Sequence, residues 1–212
     1  MESKNKRNGL LWAEIAREIQ ALAQTGLTFA SNHWEIDRNK RLMEIAEEIV
    51  LNKTLLEDEP IMETFTTQPG YATPKVDVRA AIIKDGKILL VKEVSDGKWC
   101  MPGGWADVGE YPSEMVIREA REESGFDVKP VKVIGVFDAN RGGRPMQFFH
   151  AYKVVFLCEI MGGEATPSEE TTEVEFFDFE NLPEFSPNRT NEKHIAEIRK
   201  HLEDKSRGVY FD

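Results

Sequence analysis

Cysteine is nearly absent from these 212 residues: Cys100 and Cys158 are the only two. Their separation matches no thiolate metal site, so two reduced thiols in a cytoplasmic chain are expected, with a disulfide left open. Positive charge is also scarce. Lys and Arg number 27 against 38 Asp and Glu, a net charge of −11, which argues against a general nucleic-acid or membrane-surface binder. No apolar run is long enough to span a bilayer. Lys4, Lys6 and Arg7 open the chain, but Glu14, Arg17 and Glu18 interrupt the apolar stretch that follows, so no signal peptide is read there. Internal repeats and low-complexity tracts are missing as well.

What is present is enough apolar material for one good core and a small appendage, at 41% hydrophobic residues. Leu11, Ile15, Ile19 and Leu22 recur at helical spacing, and Gly26 is expected to end that helix. Asn32 followed by Glu35 reads as a second helix start, continued by Leu42, Ile45, Ala46 and Ile49. A hairpin of this size cannot bury its apolar face alone, so residues 1–65 are expected to dock on a second domain or on another subunit, with a homodimer as the specific expectation. Residues 66–74, rich in Thr, Pro and Gly, read as a linker to a domain over 75–212.

That domain reads as mixed α/β. Strands are expected over Val76–Ile83, Lys87–Lys92, Val131–Phe137, Phe148–Glu159 and Glu173–Phe179. Asp85-Gly86 is a two-residue hairpin turn, and Asn191–Leu202 a final helix.

One stretch carries chemistry. Gly104, Glu110, Arg118-Glu119, Ala120, Arg121, Glu122-Glu123, Ser124, Gly125 and Phe126 form a spacing whose chance occurrence in this chain is on the order of 10⁻⁶. Pro112 suits the first position of a helix and Gly125 the position just past its end. Between them Glu119, Glu122 and Glu123 stand at i, i+3 and i+4, so their carboxylates share one face, where like charges repel. A solvated acidic face is the plain alternative for three glutamates. A hard cation shared with phosphate oxygens would relieve the repulsion. Gly103-Gly104 form a loop where backbone can approach a ligand.

This stretch resembles the signature box of the Nudix hydrolases, and the resemblance covers about residues 75–212. It implies an α/β/α sandwich with a mixed sheet, here preceded by a small N-terminal α-helical hairpin. It also implies a pyrophosphohydrolase that uses Mg²⁺ or Mn²⁺ to split a nucleoside diphosphate linked to a group X. Residue by residue, it implies that Glu119, Glu123, Glu122 and the Gly104 carbonyl serve the metal. Arg118 would pair with Glu110 or a box glutamate, Glu119 or Glu122 would be the base, and Glu170 is the candidate for a further glutamate. The hairpin, including Trp34-Glu35-Ile36-Asp37-Arg38, is similar to an extension of a bacterial subgroup acting on CDP-choline or ADP-ribose. The stretch Asp138 to Lys153 is similar to that subgroup too, with a loop at Gly142-Gly143-Arg144-Pro145 shaping the substrate pocket. Arg79, Asp138, Arg141, His150 and Tyr152 are the candidate substrate contacts, and Phe137, Phe149 and Tyr152 could stack on a base. Arg189-Thr190 would either cap the last helix or reach the site. Two other readings stay open: an enzyme of the same family working on RNA ends, and a non-catalytic nucleotide-sugar sensor.

Overall fold

The computed structural model describes residues 2–53, 69–139 and 150–212, with side chains from residue 11 onward and excluding residue 53. The chain divides into two compact units, the smaller built on the N-terminal residues and the larger on residues 75–139 and 151–212.

In the smaller unit, α1 (Glu2–Phe29) and α2 (His33–Lys53) form the hairpin. The Asn32 side chain caps α2, accepting the Glu35 N–H at 3.0 Å, while Glu35 accepts the Ser31 N–H at 2.8 Å. One expectation is corrected here. Gly26 does not end α1, which runs on to Phe29. A Cβ on Gly26 would lie 2.3 Å from Asn39 Oδ1, so glycine serves close helix approach rather than termination. Leu11 and Leu22 lie on the exposed apolar face expected of the hairpin, and smaller residues face inward. Ala13, Ala16, Gln20 and Ala23 of α1 face inward, with Met43, Ala46 and Val50 of α2. Small side chains let the two helix axes approach, and the bulkier apolar residues are left facing outward.

The larger unit centres on β1 (Lys75–Lys84), which turns through Asp85-Gly86 into β2 (Lys87–Glu93). Positive φ values of 51° and 76° at the two turn residues match the expected hairpin type. β3 (Trp99–Cys100) and β6 (Thr171–Asp178) both pair antiparallel with β2. On its other side β1 runs parallel to β5 (Ala151–Gly163), which pairs antiparallel with β4 (Phe126–Asp138). β7 (Tyr210–Phe211) closes the far edge, parallel to β4. The sheet is mixed and seven-stranded among the described residues, and β5 is central, as its apolar run implies. β4 starts at Phe126, earlier than expected, because Asp127 and Lys129 alternate outward with the buried Phe126 and Val128. β5 is displaced toward its C-terminal end and starts at Ala151.

A helix covers each face. Helix α3 (Pro112–Ser124) packs Met115, Val116 and Ala120 against Val78, Ala80, Ile82 and Phe156. Helix α4 (Glu192–Glu203) packs Ile195 and Ile198 against Ala81, Ile134, Phe137 and Val155. Alternate residues of β1 therefore feed two cores, giving the expected α/β/α sandwich. The Asn191 side chain caps α4 by accepting the His194 N–H at 3.0 Å, so Arg189-Thr190 is free for another task.

Candidate active site

The site begins with a loop pinned along the first half of β1. Ala80 N–H donates to Pro102 O at 2.8 Å, Val78 N–H to Gly104 O at 2.9 Å, and Ala106 N–H to Val76 O at 2.8 Å. The fit leaves no room for a side chain. A Cβ on Gly103 would lie 2.0 Å from Val78 O, at a φ of 141° that also disfavours any other residue.

The acidic helix meets this loop. Gly125 ends α3 with φ 78° and returns its N–H to Arg121 O at 3.0 Å. The Glu123 carboxylate is buried and its Oε2 accepts the Gly103 N–H at 2.8 Å. A Cβ on Gly104 would lie 3.1 Å from Glu119 Oε2, so that carboxylate rests against the Gly104 backbone. Thr171 Oγ1 donates to Glu123 O at 2.8 Å, which ties β6 to the end of the helix.

Arg118 gathers the remaining acids. It grips Glu110 with two hydrogen bonds of 2.9 Å, and reaches Glu119 at 3.0 Å, Glu122 at 2.8 Å and Asp107 at 3.2 Å. The sequence reading offered Glu110 or a box glutamate as its partner; the guanidinium takes both. Its hydrogen bonds hold Glu110 below the ordinary carboxylate range. Burial raises Glu119, against the pull of Arg118. Burial pushes Glu123 up to about 7, although Arg79 and the Gly103 N–H pull it down.

Among the described residues no three His, Cys, Asp or Glu side chains converge as a ready-made metal cage. The donors beside the loop are all oxygen: the Glu119 and Glu123 carboxylates, Glu122 further out, and the Gly104 carbonyl, whose second lone pair is open after the bond from Val78. An all-oxygen set with few protein ligands fits a hard cation that keeps waters and shares substrate phosphates. The raised Glu119 and Glu123 fit it too, since burial disfavours their charged forms and the neighbouring arginines offset this only in part.

The other sequence candidates fall elsewhere. Arg79, expected to hold phosphate or ribose, is 4% exposed. It donates from Nε and Nη2 to Asp77 at 2.9 and 2.8 Å and from Nη1 to Met101 O at 3.2 Å, so these three donors are turned into the protein. Glu170 is exposed, one residue from Thr171; its N–H bonds to Ser168 Oγ at 3.1 Å and its carbonyl accepts from Val94 N–H at 2.9 Å. Asp138 and Tyr152 are register partners on β4 and β5, and Tyr152 is also the partner of Val76. His150 is half-buried. Phe137 is buried between His194 and Tyr210, in the core rather than on a ligand. Arg141, Phe149 and the Gly142–Pro145 loop lie outside the described residues.

Several groups escaped the sequence reading. Lys153 Nζ lies 3.1 Å from Asp77 Oδ2, both buried. Burial pushes Lys153 down to about 8, and burial would raise Asp77 were it not held low by Arg79 and Lys153. Glu93 is buried, accepting from the Cys100 thiol at 3.0 Å and pairing with Arg189 at 3.1 Å. Thr190 did not escape: of the two roles open to Arg189-Thr190 it takes the one toward the loop, its Oγ1 accepting the Met101 N–H at 2.9 Å. The alternation Asp77-Val78-Arg79 was the one visible signal, opposite charges on one face of a strand. Both cysteines are free and buried.

Comparison with known proteins agrees with this geometry. The NUDIX domain family matches residues 73–200, and a family described as a UDP-X-like, N-terminal oligomerisation domain matches residues 11–65. "Putative ADP-ribose pyrophosphatase YjhB" of Bacillus subtilis is 33% identical over 95% of this chain and 97% of its own. The crystal structure of a UDP-X diphosphatase superposes with a TM-score of 0.62 at 31% identity, covering 95% of this chain and 98% of that one. An ADP-ribose pyrophosphatase from Streptococcus suis superposes with a TM-score of 0.60 at 36% identity, covering 66% of this chain and all of the other, 100%.

Proposed function

The chain belongs to the Nudix family and is a pyrophosphohydrolase, and we propose that it hydrolyses a nucleoside diphosphate linked to a sugar or other group X, releasing a nucleoside monophosphate and phospho-X. The observation that carries this reading is the convergence of Glu119 and Glu123 on the Gly103-Gly104 backbone, with Arg118 bridging Glu110, Glu119 and Glu122. ADP-ribose is the first substrate to test, with UDP-linked compounds next. These follow the full-length relatives, whereas CDP-choline rests on the subgroup resemblance alone.

Glu119, Glu123 and the Gly104 carbonyl would hold Mg²⁺ or Mn²⁺, with Glu122 assisting. When bound, such an ion neutralises phosphate charge and acidifies water. The chain's own work is then to keep the carboxylates ionised and aimed, to hold the loop closed against the helix through Arg118 and Glu110, and to accept the proton of the attacking water. We assign that proton to Glu119 or Glu122. Asp138 and Tyr152, neighbours at the ends of β4 and β5, are proposed to meet the nucleoside or X, with Arg141 and His150. Glu170 is kept as a further carboxylate.

The hairpin is proposed to form a homodimer through its exposed apolar residues, in keeping with the family match over residues 11–65. Free buried thiols suit a reducing compartment, so we place the enzyme in the cytoplasm; among the described residues no helix is long and apolar enough to cross a membrane.

The deciding experiment is a panel of ADP-ribose, UDP-linked sugars and CDP-choline, each with Mg²⁺ or Mn²⁺, read by phosphate release through a phosphatase that spares intact pyrophosphates. Turnover of one compound, abolished by EDTA, establishes the reaction and names the substrate. No turnover across the panel refutes this substrate class and directs attention to RNA ends.

A further inference from the structure

We propose that Arg79 is a positioning residue for the carboxylate site: it fixes the Met101 peptide from beneath so that Gly103 and Gly104 present their backbone to Glu123 and Glu119. The guanidinium is committed on three sides, twice to Asp77 and once to Met101 O at 3.2 Å. Asp77 is held in turn by Lys153 at 3.1 Å, across the parallel β1–β5 pair where the two residues are register partners. The fork therefore has a fixed plane, which a lysine at this position could not supply.

The opposite side of Met101 is also held. Its N–H donates to Thr190 Oγ1 at 2.9 Å, from the segment just before α4. Side chains from two separate segments thus grip the two peptide groups of one residue. The next three residues follow in fixed order: Pro102 O accepts from Ala80, Gly103 N–H donates to Glu123, and Gly104 O accepts from Val78. Stability alone is a poor reason for this arrangement. Apolar residues of similar volume commonly replace buried ion networks at no cost, whereas a loop that must aim one N–H and one carbonyl needs a rigid support.

The kinetic part of the test rests on the hydrolase reading; the exchange part does not. Arg79→Lys keeps the charge and removes the fork, and Asp77→Asn keeps the shape and loosens the pair. With glycine-selective ¹⁵N labelling, the Gly103 amide should exchange with solvent roughly tenfold faster or more in either variant, while amides of β5 keep their protection. Below the melting temperature kcat should fall roughly 10- to 100-fold with KM nearly unchanged, the range seen when a supporting partner of a site is lost. Should Arg79→Lys fail to fold, Asp77→Asn decides. Wild-type protection at Gly103 in a folded variant overturns the proposal, whatever happens to kcat. Loss of that protection, in a protein whose wild type turns over nothing in the panel, keeps the positioning role and removes the proposed substrate class.

Discussion

Glu123 closes the acidic helix onto the loop before it: its buried Oε2 accepts the Gly103 N–H at 2.8 Å, across 20 residues of sequence. This one contact sets both the chemistry and the cost of the site, because a buried carboxylate with a single backbone donor is stable only when protonated or supplied with a counter-charge.

A pH dependence of folding follows. Burial lifts Glu123 from its ordinary 4.5 to about 7 in the metal-free protein. Between those values the native state binds a proton that the unfolded chain releases, so stability falls as pH rises through the window. Glu123→Gln removes that group. In EDTA, the variant should match the wild type near pH 4.5 and exceed it above pH 7, by up to about 3 kcal/mol as a ceiling. Urea unfolding at both ends of the window checks it; a difference that does not change with pH refutes it.

Loss of the catalytic carboxylates should act on rate. Glu119→Gln and Glu123→Gln should each lower kcat at least roughly a hundredfold, the lower end of what a positioned acid–base group supplies. EDTA should bring the wild type to the same low level. Near-normal steady-state turnover in either variant would take that residue out of the mechanism.

Arg118 offers a contrast between stability and activity. The side chain is 30% exposed and its partners run from Glu119 at 14% to Asp107 at 74%, so Arg118→Ala should cost about 1–3 kcal/mol in a thermal melt. Its kcat should nevertheless drop at least roughly tenfold, since four carboxylates lose their common partner. A large melting change with intact kcat would make Arg118 structural.

Gly103 tests the close approach. Gly103→Ala places a methyl 2.0 Å from Val78 O at a φ of 141°. The substitution should destabilise by more than the roughly 1–3 kcal/mol of backbone strain alone and abolish turnover. A folded, active variant measured by calorimetry and assay would show that the loop can retreat from β1.

The hairpin predicts its own assembly state. Leu22 and Trp34 are about two-thirds exposed, at 66% and 68%. Light scattering should give twice 24.2 kDa for the wild type, and Leu22→Glu with Trp34→Glu should shift it to the single-chain mass. A wild type that already scatters at the single-chain mass ends the dimer proposal.

How much of this was readable beforehand differs from element to element. Helix α3 was readable in full, because Pro112, Gly125 and the i, i+3, i+4 glutamates are local signals that depend on neighbouring residues only. The Asp85-Gly86 turn and the Asn32 cap were visible for the same reason. Gly26 misled, since a helix-breaking propensity cannot show that α2 would come within a methyl's width of it. Arg79 was half readable: Asp77, two residues along the same strand face, is a local sign of a pair, but nothing local shows that Lys153 lies beside them.

The sequence by itself therefore determined the helix that carries the glutamates, the five longer strands along the chain and the family of chemistry, all written in short-range spacing. Only the tertiary structure decided that Glu123 reaches Gly103, that Glu93, Thr190 and Lys153 stand near the site, and that Arg79 bonds to Asp77 and the Met101 carbonyl. Apart from the Arg79–Asp77 pair, those contacts join residues tens of positions apart, and burial, which chooses their partners and shifts their protonation, exists only once the sheet has brought them together.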